Sequence, residues 1–277
     1  MIDNPYVIKT YRYLRLSMVG LVVFLLFAVL IEWWHTAPRC FQTTLSAYYY
    51  TPAQGVFVSA LLAIGICMVV LKGNTEIEDV LLNAAGMLAP IAALVPTPGV
   101  GDCWSTPVDA GNTAADVANN ITALLAISVV VLAAVLIVTA RHGWPPSSRV
   151  GFPLAALLVL AFGAWFYLGR DSFLRGAHYV SAIALFVLIA VVVLINALRY
   201  RRQGDAGPVA GNPYSIIAAL MALSALVFGL LAWLTEWRHA ILCLEVIQIA
   251  LFAAFWLIQT KELWEVGLRS MPPPTRG

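Results

Sequence analysis

Charge is what this sequence has least of. Of its 277 residues, 11% are Asp, Glu, Lys or Arg, against about 25% in a soluble domain. Hydrophobic residues make up 61%, where about 45–50% is usual. This balance excludes a cytosolic enzyme, a nucleic-acid binder and a disordered chain. Lysine is nearly missing, with 3 against 13 arginines. The ten-residue alternation of a membrane β-barrel is missing too, because the apolar runs are uninterrupted. There is no Gly-rich phosphate loop, Walker motif, haem-type cysteine spacing, HExxH or HxxxH pair, so the common nucleotide and metallopeptidase chemistries have no motif to stand on.

What the sequence does have is long apolar stretches. A transmembrane helix needs about 20 mostly apolar residues, and eight runs qualify: 15–34, 52–71, 77–95, 118–140, 152–168, 177–198, 214–234 and 239–260. Lipid offers the backbone no hydrogen-bond partners, so helices are the expected form. The reading is a single all-α domain over 1–277, a polytopic membrane bundle with membrane lipids as its first partners. The first run ends in Glu32-Trp33-Trp34-His35 with no small-residue cleavage site behind it, which predicts a retained signal anchor. No lipobox precedes Cys40. No internal repeat marks two inverted halves.

Orientation follows from Lys and Arg. With the N-terminus in the cytoplasm, the inner segments carry 12 of them, and the outer ones 4 (Arg39, Arg170, Arg175 and Arg238). The connection at 96–117 has none. An even number of spans returns the C-terminus, with Lys261 and a tail of three prolines at 272–274, to the same side. The segment 199–212 is a polar inner loop whose basic cluster topology accounts for. This pattern predicts a multi-pass membrane protein with both termini in the cytoplasm.

Local signals mark the helix ends. Thr51-Pro52-Ala53-Gln54 reads as a cap, a first-turn proline and a capping-box partner; Thr75-x-x-Glu78 reads the same way, with Glu76 and Asp79 suiting the positive end of a helix dipole. Tyr11, Tyr13 and Trp264 fall at the inner interface. Trp33, Trp34, Tyr48, Tyr49, Tyr50, Trp165, Tyr167, Trp233 and Trp237 fall at the outer one, as an aromatic belt.

The four cysteines separate by depth. Cys40 and Cys103 lie in outer loops, as either a disulfide or two separate thiols; Cys67 and Cys243 lie within spans, Cys67 as a small packing residue. Gly55, Ser59, Ala63 and Cys67 recur every four residues, a small-residue stripe suited to close helix packing. Glu76, Asp79, Asn83, Gly86 and Pro90 form one face of the third span, whose polar half should meet protein or water.

Charged groups inside a span are costly, and each is a functional hypothesis. Glu245 lies about two turns into the last span, and Gln248 and Gln259 fall within about 60° of it on the helix surface. The bland reading is an interhelical hydrogen-bond seam or a pair with an arginine. Other polar groups gather toward the outer ends: Glu32, His35, Ser46, Tyr50, Gln54, Asp116, Asn119, Asn120, Asp171, His178, Ser181, Glu236 and His239. If the first, second, sixth and last spans are neighbours, an outward-facing polar pocket results. Its candidate lining is Glu32, His35, Ser46, Tyr50, Asn120, His178, Ser181, His239, Glu245 and Gln248. His178, His239 and Glu32 are the one set that could bind zinc and activate a water.

Two resemblances accompany these residues. Leu45-Ser46-Ala47-Tyr48-Tyr49-Tyr50-Thr51, Val56-Phe57-Val58, Gly65, Gly86 and Pro96-Thr97-Pro98 resemble a group of bacterial, actinobacterial-type polytopic membrane proteins. In that group an SxSAYYYT segment leads into a span, and a glycine-rich helix ends in PT. His178-Tyr179-Val180-Ser181-Ala182, and Glu245 followed by Phe255-Trp256-Leu257, look like further blocks of the pattern, so that it covers about half the chain. The likeness implies a bacterial inner-membrane protein without implying an activity. A more distant similarity is to the seven-span hydrolases of the alkaline ceramidase and progestin/adipoQ receptor type, which set Ser, Asp and three His around zinc. Ser46, Glu32, His178 and His239 loosely match that set, but the paired histidines of the last helix are missing.

The expectation is therefore a protein without a cofactor that binds or moves a lipid or small amphiphile in the outer pocket. The alternatives are a zinc-dependent intramembrane hydrolase of lipid or amide substrates, and a structural subunit with a protein partner or a second copy of itself.

Overall fold

A computed structural model describes residues 5–36, 39–98, 103, 113–144, 146–202 and 212–265. Among them there is no strand; eight α-helices and one 3₁₀ turn make up the fold. They are α1 (Pro5–His35), the turn (Ser46–Tyr50), α2 (Gln54–Val70), α3 (Glu76–Leu94), α4 (Thr113–His142), α5 (Pro146–Leu168), α6 (Arg170–Arg202), α7 (Pro213–Leu234) and α8 (Ala240–Glu262). Seven of the helices are long and apolar enough to cross a membrane, and α2, with 17 residues, is the shorter apolar one.

All eight runs are helical, but several helices outreach them. α1 begins ten residues before its apolar run, since Lys9 and Arg12 are tolerated on a helix that continues beyond the apolar zone. Its start is clasped to the end of α8: Arg12 Nε donates to the Trp264 carbonyl at 2.5 Å and lies 4.4 Å from the Trp264 ring centroid. α6 starts at Arg170 rather than Ala177, so the expected outer loop with Arg170 and Arg175 is helix, and Gly169 alone joins α5 to α6. The 199–212 and 96–117 connections lie largely outside the described residues, and the proline tail wholly so.

α1, α2, α3, α6, α7 and α8 pack in that order around a closed ring. Their shared core runs from Met18 and Val22 through Met68, Leu82, Ala85, Val192 and Tyr214 to Phe255 and Trp256. α3 is the most buried of the seven long helices, with 67% of its apolar window buried. α4 and α5 lie outside the ring against α3 and α6, joined to them by Ile121, Phe162, Phe166 and Phe173. Only 6% of the apolar window of α4 is buried, so this helix faces its surroundings almost entirely.

Glycine sets the closest approach. A Cβ on Gly65 would lie 2.7 Å from the Gly86 carbonyl oxygen, and one on Gly86 would lie 2.6 Å from that of Gly65. The closest α2–α3 approach is thus made at Gly65 and Gly86, outside the Gly55–Ser59–Ala63–Cys67 stripe, of which Cys67 packs on the shared core. Gly55 and Ser59 are exposed, and nothing lies within 4 Å of a Cβ at Gly55.

The helix ends follow their caps in one case and depart in the other. Thr75 accepts the Glu78 N–H at 3.0 Å, as expected of an N-cap. Thr51 instead closes the 3₁₀ turn, donating to the Tyr48 carbonyl at 2.9 Å, and α2 starts after Ala53 with no side-chain cap. Tyr48 and Tyr49 are buried, packed on Leu25, Val29, Phe57 and Leu242, so they belong to the core and not to a belt. The Cys40–Cys103 disulfide, with Cα atoms 5.8 Å apart, ties the loop after α1 to that after α3. It marks one end of the bundle, called here the disulfide end. The start of α1 and the end of α8 mark the terminal end.

Candidate functional site

Buried polar groups occupy both ends of the ring. At the terminal end, Glu78 sits at the first turn of α3 with 1% exposure. Its Oε2 accepts the Asn74 N–H at 3.1 Å; its Oε1 accepts from Asn74 Nδ2 at 3.3 Å and from Asn196 Nδ2 of α6 at 3.2 Å. Asn196 Oδ1 in turn accepts from Gln259 Nε2 of α8 at 3.2 Å. Tyr214 Oη donates to Glu262. Arg15 of α1, buried to the same degree as Glu78, lies within electrostatic reach of Glu78, Tyr214, Tyr11 and Glu262. Five helices are thereby joined through one polar layer. The sequence reading missed it, because Arg15 and Glu78 stand at the ends of apolar runs, where charges read as topology markers and caps.

At the disulfide end, Glu245 of α8 points into the ring. Its Oε2 accepts the Leu45 N–H at 2.6 Å, and its other oxygen takes no hydrogen bond among the described residues. His178 of α6 reaches across to α3, where its Nδ1 lies 2.9 Å from the Ala92 carbonyl and 2.9 Å from that of Val95. Both partners only accept, so Nδ1 carries a proton. These are carbonyls of the last turn of α3, left open by the helix end. Ser46 Oγ lies 2.9 Å from Thr97 Oγ1 and 3.1 Å from Thr44 Oγ1. Glu245, His178 and Ser46 line one cavity of about 90 Å³. The rest of its wall is apolar, from Val22 and Leu25 of α1 to Phe252 of α8.

The other expected lining residues do not share this cavity. Glu32 is buried on α1, and its Oε1 takes no hydrogen bond among the described residues. His35 is exposed at the end of the same helix, and Asn120 lies half-buried on α4, away from the ring. Tyr50 Oη donates to the Thr97 carbonyl at 2.9 Å. Ser181 is fully buried, with no partner for its hydroxyl among the described residues. His239 Nε2 lies 3.1 Å from the Phe41 carbonyl. Gln248 turns to α7, where it donates to the Met221 carbonyl at 2.9 Å and to Ser224 at 3.2 Å. The α8 polar stripe is thus divided: Gln248 and Gln259 form interhelical seams, and Glu245 alone faces a void.

Among the described residues, no three His, Cys, Asp or Glu side chains gather closely enough to hold a metal ion. His178, His239 and Glu32 form no such group, because each histidine is drawn to a backbone carbonyl on a different part of the chain. The expected polar pocket is therefore a small, mainly apolar cavity with three polar groups. Just outside the span ends, burial pushes the Tyr48 phenol up to about 12, and this hydroxyl accepts the Gln42 N–H at 3.4 Å.

A second and larger concavity lies on the other side of α3. It is a groove of about 490 Å³ between α2, α3, α4 and α5. Gly65, Val69, Gly86 and Pro90 form its floor, and Leu125, Ile127, Leu158 and Phe162 stand on its α4 and α5 walls. Of its polar residues, Asp79, Asn83 and Ser148 lie toward the terminal end, in the first halves of α3 and α5, and Ser128 lies midway along α4 with its hydroxyl donated to the Leu124 carbonyl. The expected polar face of α3 is thus placed against this groove. Compared with known protein families, with characterised proteins and with solved structures, the chain matches none.

Proposed function

We propose that this protein is a multi-pass protein of a bacterial cytoplasmic membrane, with both termini inside, and that it binds or moves a small amphiphile in the groove between α2 and α5. The observation that carries the reading is the groove's combination of size and polarity. Ligand sites usually enclose about 300–1,000 Å³; the groove, at about 490 Å³, falls in that range, and the Glu245 cavity, at about 90 Å³, does not. An apolar trough with Asp79, Asn83 and Ser148 at one end suits one alkyl chain with a head group that donates hydrogen bonds. The Lys and Arg distribution supports the inward orientation, which sets that polar end at the cytoplasmic interface.

The experiment is photocrosslinking of the full chain in nanodiscs containing a diazirine-tailed lysophospholipid, with adducts mapped by mass spectrometry. Adducts at Met87, Leu125 and Leu158 should exceed those at Leu223 and Leu226, which are exposed on α7. Gly151→Trp should lower the groove adducts severalfold. Gly151 lines the groove, and a Cβ there makes only ordinary contact, 3.6 Å from Val80, so a side chain can start at this position without a backbone clash. Equal labelling of groove and α7, unchanged in the variant, would refute the reading.

A further inference from the structure

The Glu245 cavity is too small for an amphiphile, yet it is chemically specific. With its Nδ1 proton directed to the α3 carbonyls, a neutral His178 ring has an accepting Nε2, which takes no hydrogen bond among the described residues. Glu245 has a second accepting oxygen beyond the one held by Leu45. The histidine is 5% exposed, and both residues line the cavity. The Ser46 hydroxyl is already shared with Thr44 and Thr97. No Lys or Arg is among the lining residues, and the rings of Phe57, Phe186 and Phe252 are.

A carboxylate surrounded by apolar walls is costly unless a cation accompanies it or a proton neutralises it. Two open acceptors call for a ligand with several N–H donors. The apolar remainder of the wall calls for a ligand whose other surface is hydrocarbon, and aromatic faces add attraction for a cation. An apolar cavity of about 150 Å³ holds benzene, so about 90 Å³ corresponds to a few heavy atoms. We propose that the Glu245–His178 cavity is a binding site for a small primary alkylammonium cation: its ammonium lies between the free Glu245 oxygen and His178 Nε2, and its alkyl part against the phenylalanines. This site is separate from the groove and does not depend on what the groove holds.

The test is equilibrium dialysis of radiolabelled propylammonium with the purified full chain in detergent. Saturable binding at one site per chain is expected, with affinity at least tenfold weaker in Glu245→Gln. That variant keeps an oxygen to accept the Leu45 N–H, so monodispersity on gel filtration should be unchanged. Ala182→Phe leaves the carboxylate in place and fills the cavity; it should abolish binding, and it decides the matter alone if Glu245→Gln is not monodisperse. A tenfold excess of sodium or potassium should not displace the label. Absence of saturable binding, undiminished binding in either monodisperse variant, or displacement by sodium or potassium would overturn the assignment.

Discussion

The two ends of the helical ring treat the carboxylates Glu78 and Glu245 in opposite ways, although each end also holds a buried oxygen with no hydrogen bond among the described residues, Gln259 Oε1 at one and Glu32 Oε1 at the other. At the terminal end, both oxygens of Glu78 are occupied by Asn74 and Asn196, Asn196 is engaged by Gln259, and Tyr214 holds Glu262. Neither the cavity nor the groove reaches Glu78, Asn196, Gln259 or Glu262. At the disulfide end, Glu245 uses one oxygen on Leu45 and sets its carboxylate beside a void. A buried charge therefore does not identify a ligand site by itself. A partnered network joins helices, whereas unused hydrogen-bonding capacity next to empty space leaves something to bind.

The sharpest break of this comparison is Glu78→Ala. It removes the carboxylate to which Asn74 and Asn196 both donate, and leaves Glu262 as the remaining carboxylate near Arg15. Removing one partner of a buried charged network costs about 3–5 kcal/mol, so the variant should lose most of its resistance to unfolding by SDS, followed by far-UV circular dichroism. A loss under about 1 kcal/mol would mean that the terminal network does not join the helices.

A smaller effect is expected at the disulfide end. Replacing Cys40 and Cys103 together by Ser frees a loop closed over 63 residues, and should cost about 2–4 kcal/mol in the same assay. Reduction with dithiothreitol should lower the stability of the wild-type chain equally and leave the double variant unaffected. If dithiothreitol shifted both chains alike, the loop after α3 would not be held by this bridge.

The contrast between the ends also explains what could be read in the sequence. The eight apolar runs announce eight helices because burying backbone in an apolar medium requires self-satisfied hydrogen bonds. The α3 N-cap was legible because its partners, Thr75 and Glu78, are three residues apart. Helix ends beyond the apolar zone were not, as α1 and α6 show: a helix continues past the point where its residues turn polar. Tyr48 and Tyr49 look like belt residues by composition, yet the turn folds them into the core against α1, α2 and α8.

The site was legible only in part, for a related reason. Glu245 stands out because it interrupts an apolar run, and His178 and Ser46 were both among the expected companions. Which of the outer polar groups meet depends on side-chain direction and on helix neighbours far apart in the chain. His239 and Gln248 turn to Phe41 and to α7, and His35 and Asn120 stay off the cavity. The groove is formed by four helices whose small residues, Gly65 and Gly86, bring α2 and α3 together. No local pattern states that α4 and α5 stand apart from them.

The most direct measurement of the contrast is the unfolding stability of Glu78→Gln beside that of Glu245→Gln, under identical conditions in SDS. Each change removes one carboxylate and keeps its size. At Glu78 the amide nitrogen meets donors that both carboxylate oxygens now accept, and about 1–3 kcal/mol is expected for a buried group left without its partner. At Glu245 the amide oxygen still receives the Leu45 N–H and its nitrogen faces the cavity, so the change should be under about 0.5 kcal/mol in either direction. Equal losses at the two positions, or a larger one at Glu245, would contradict the division into a structural end and a binding end.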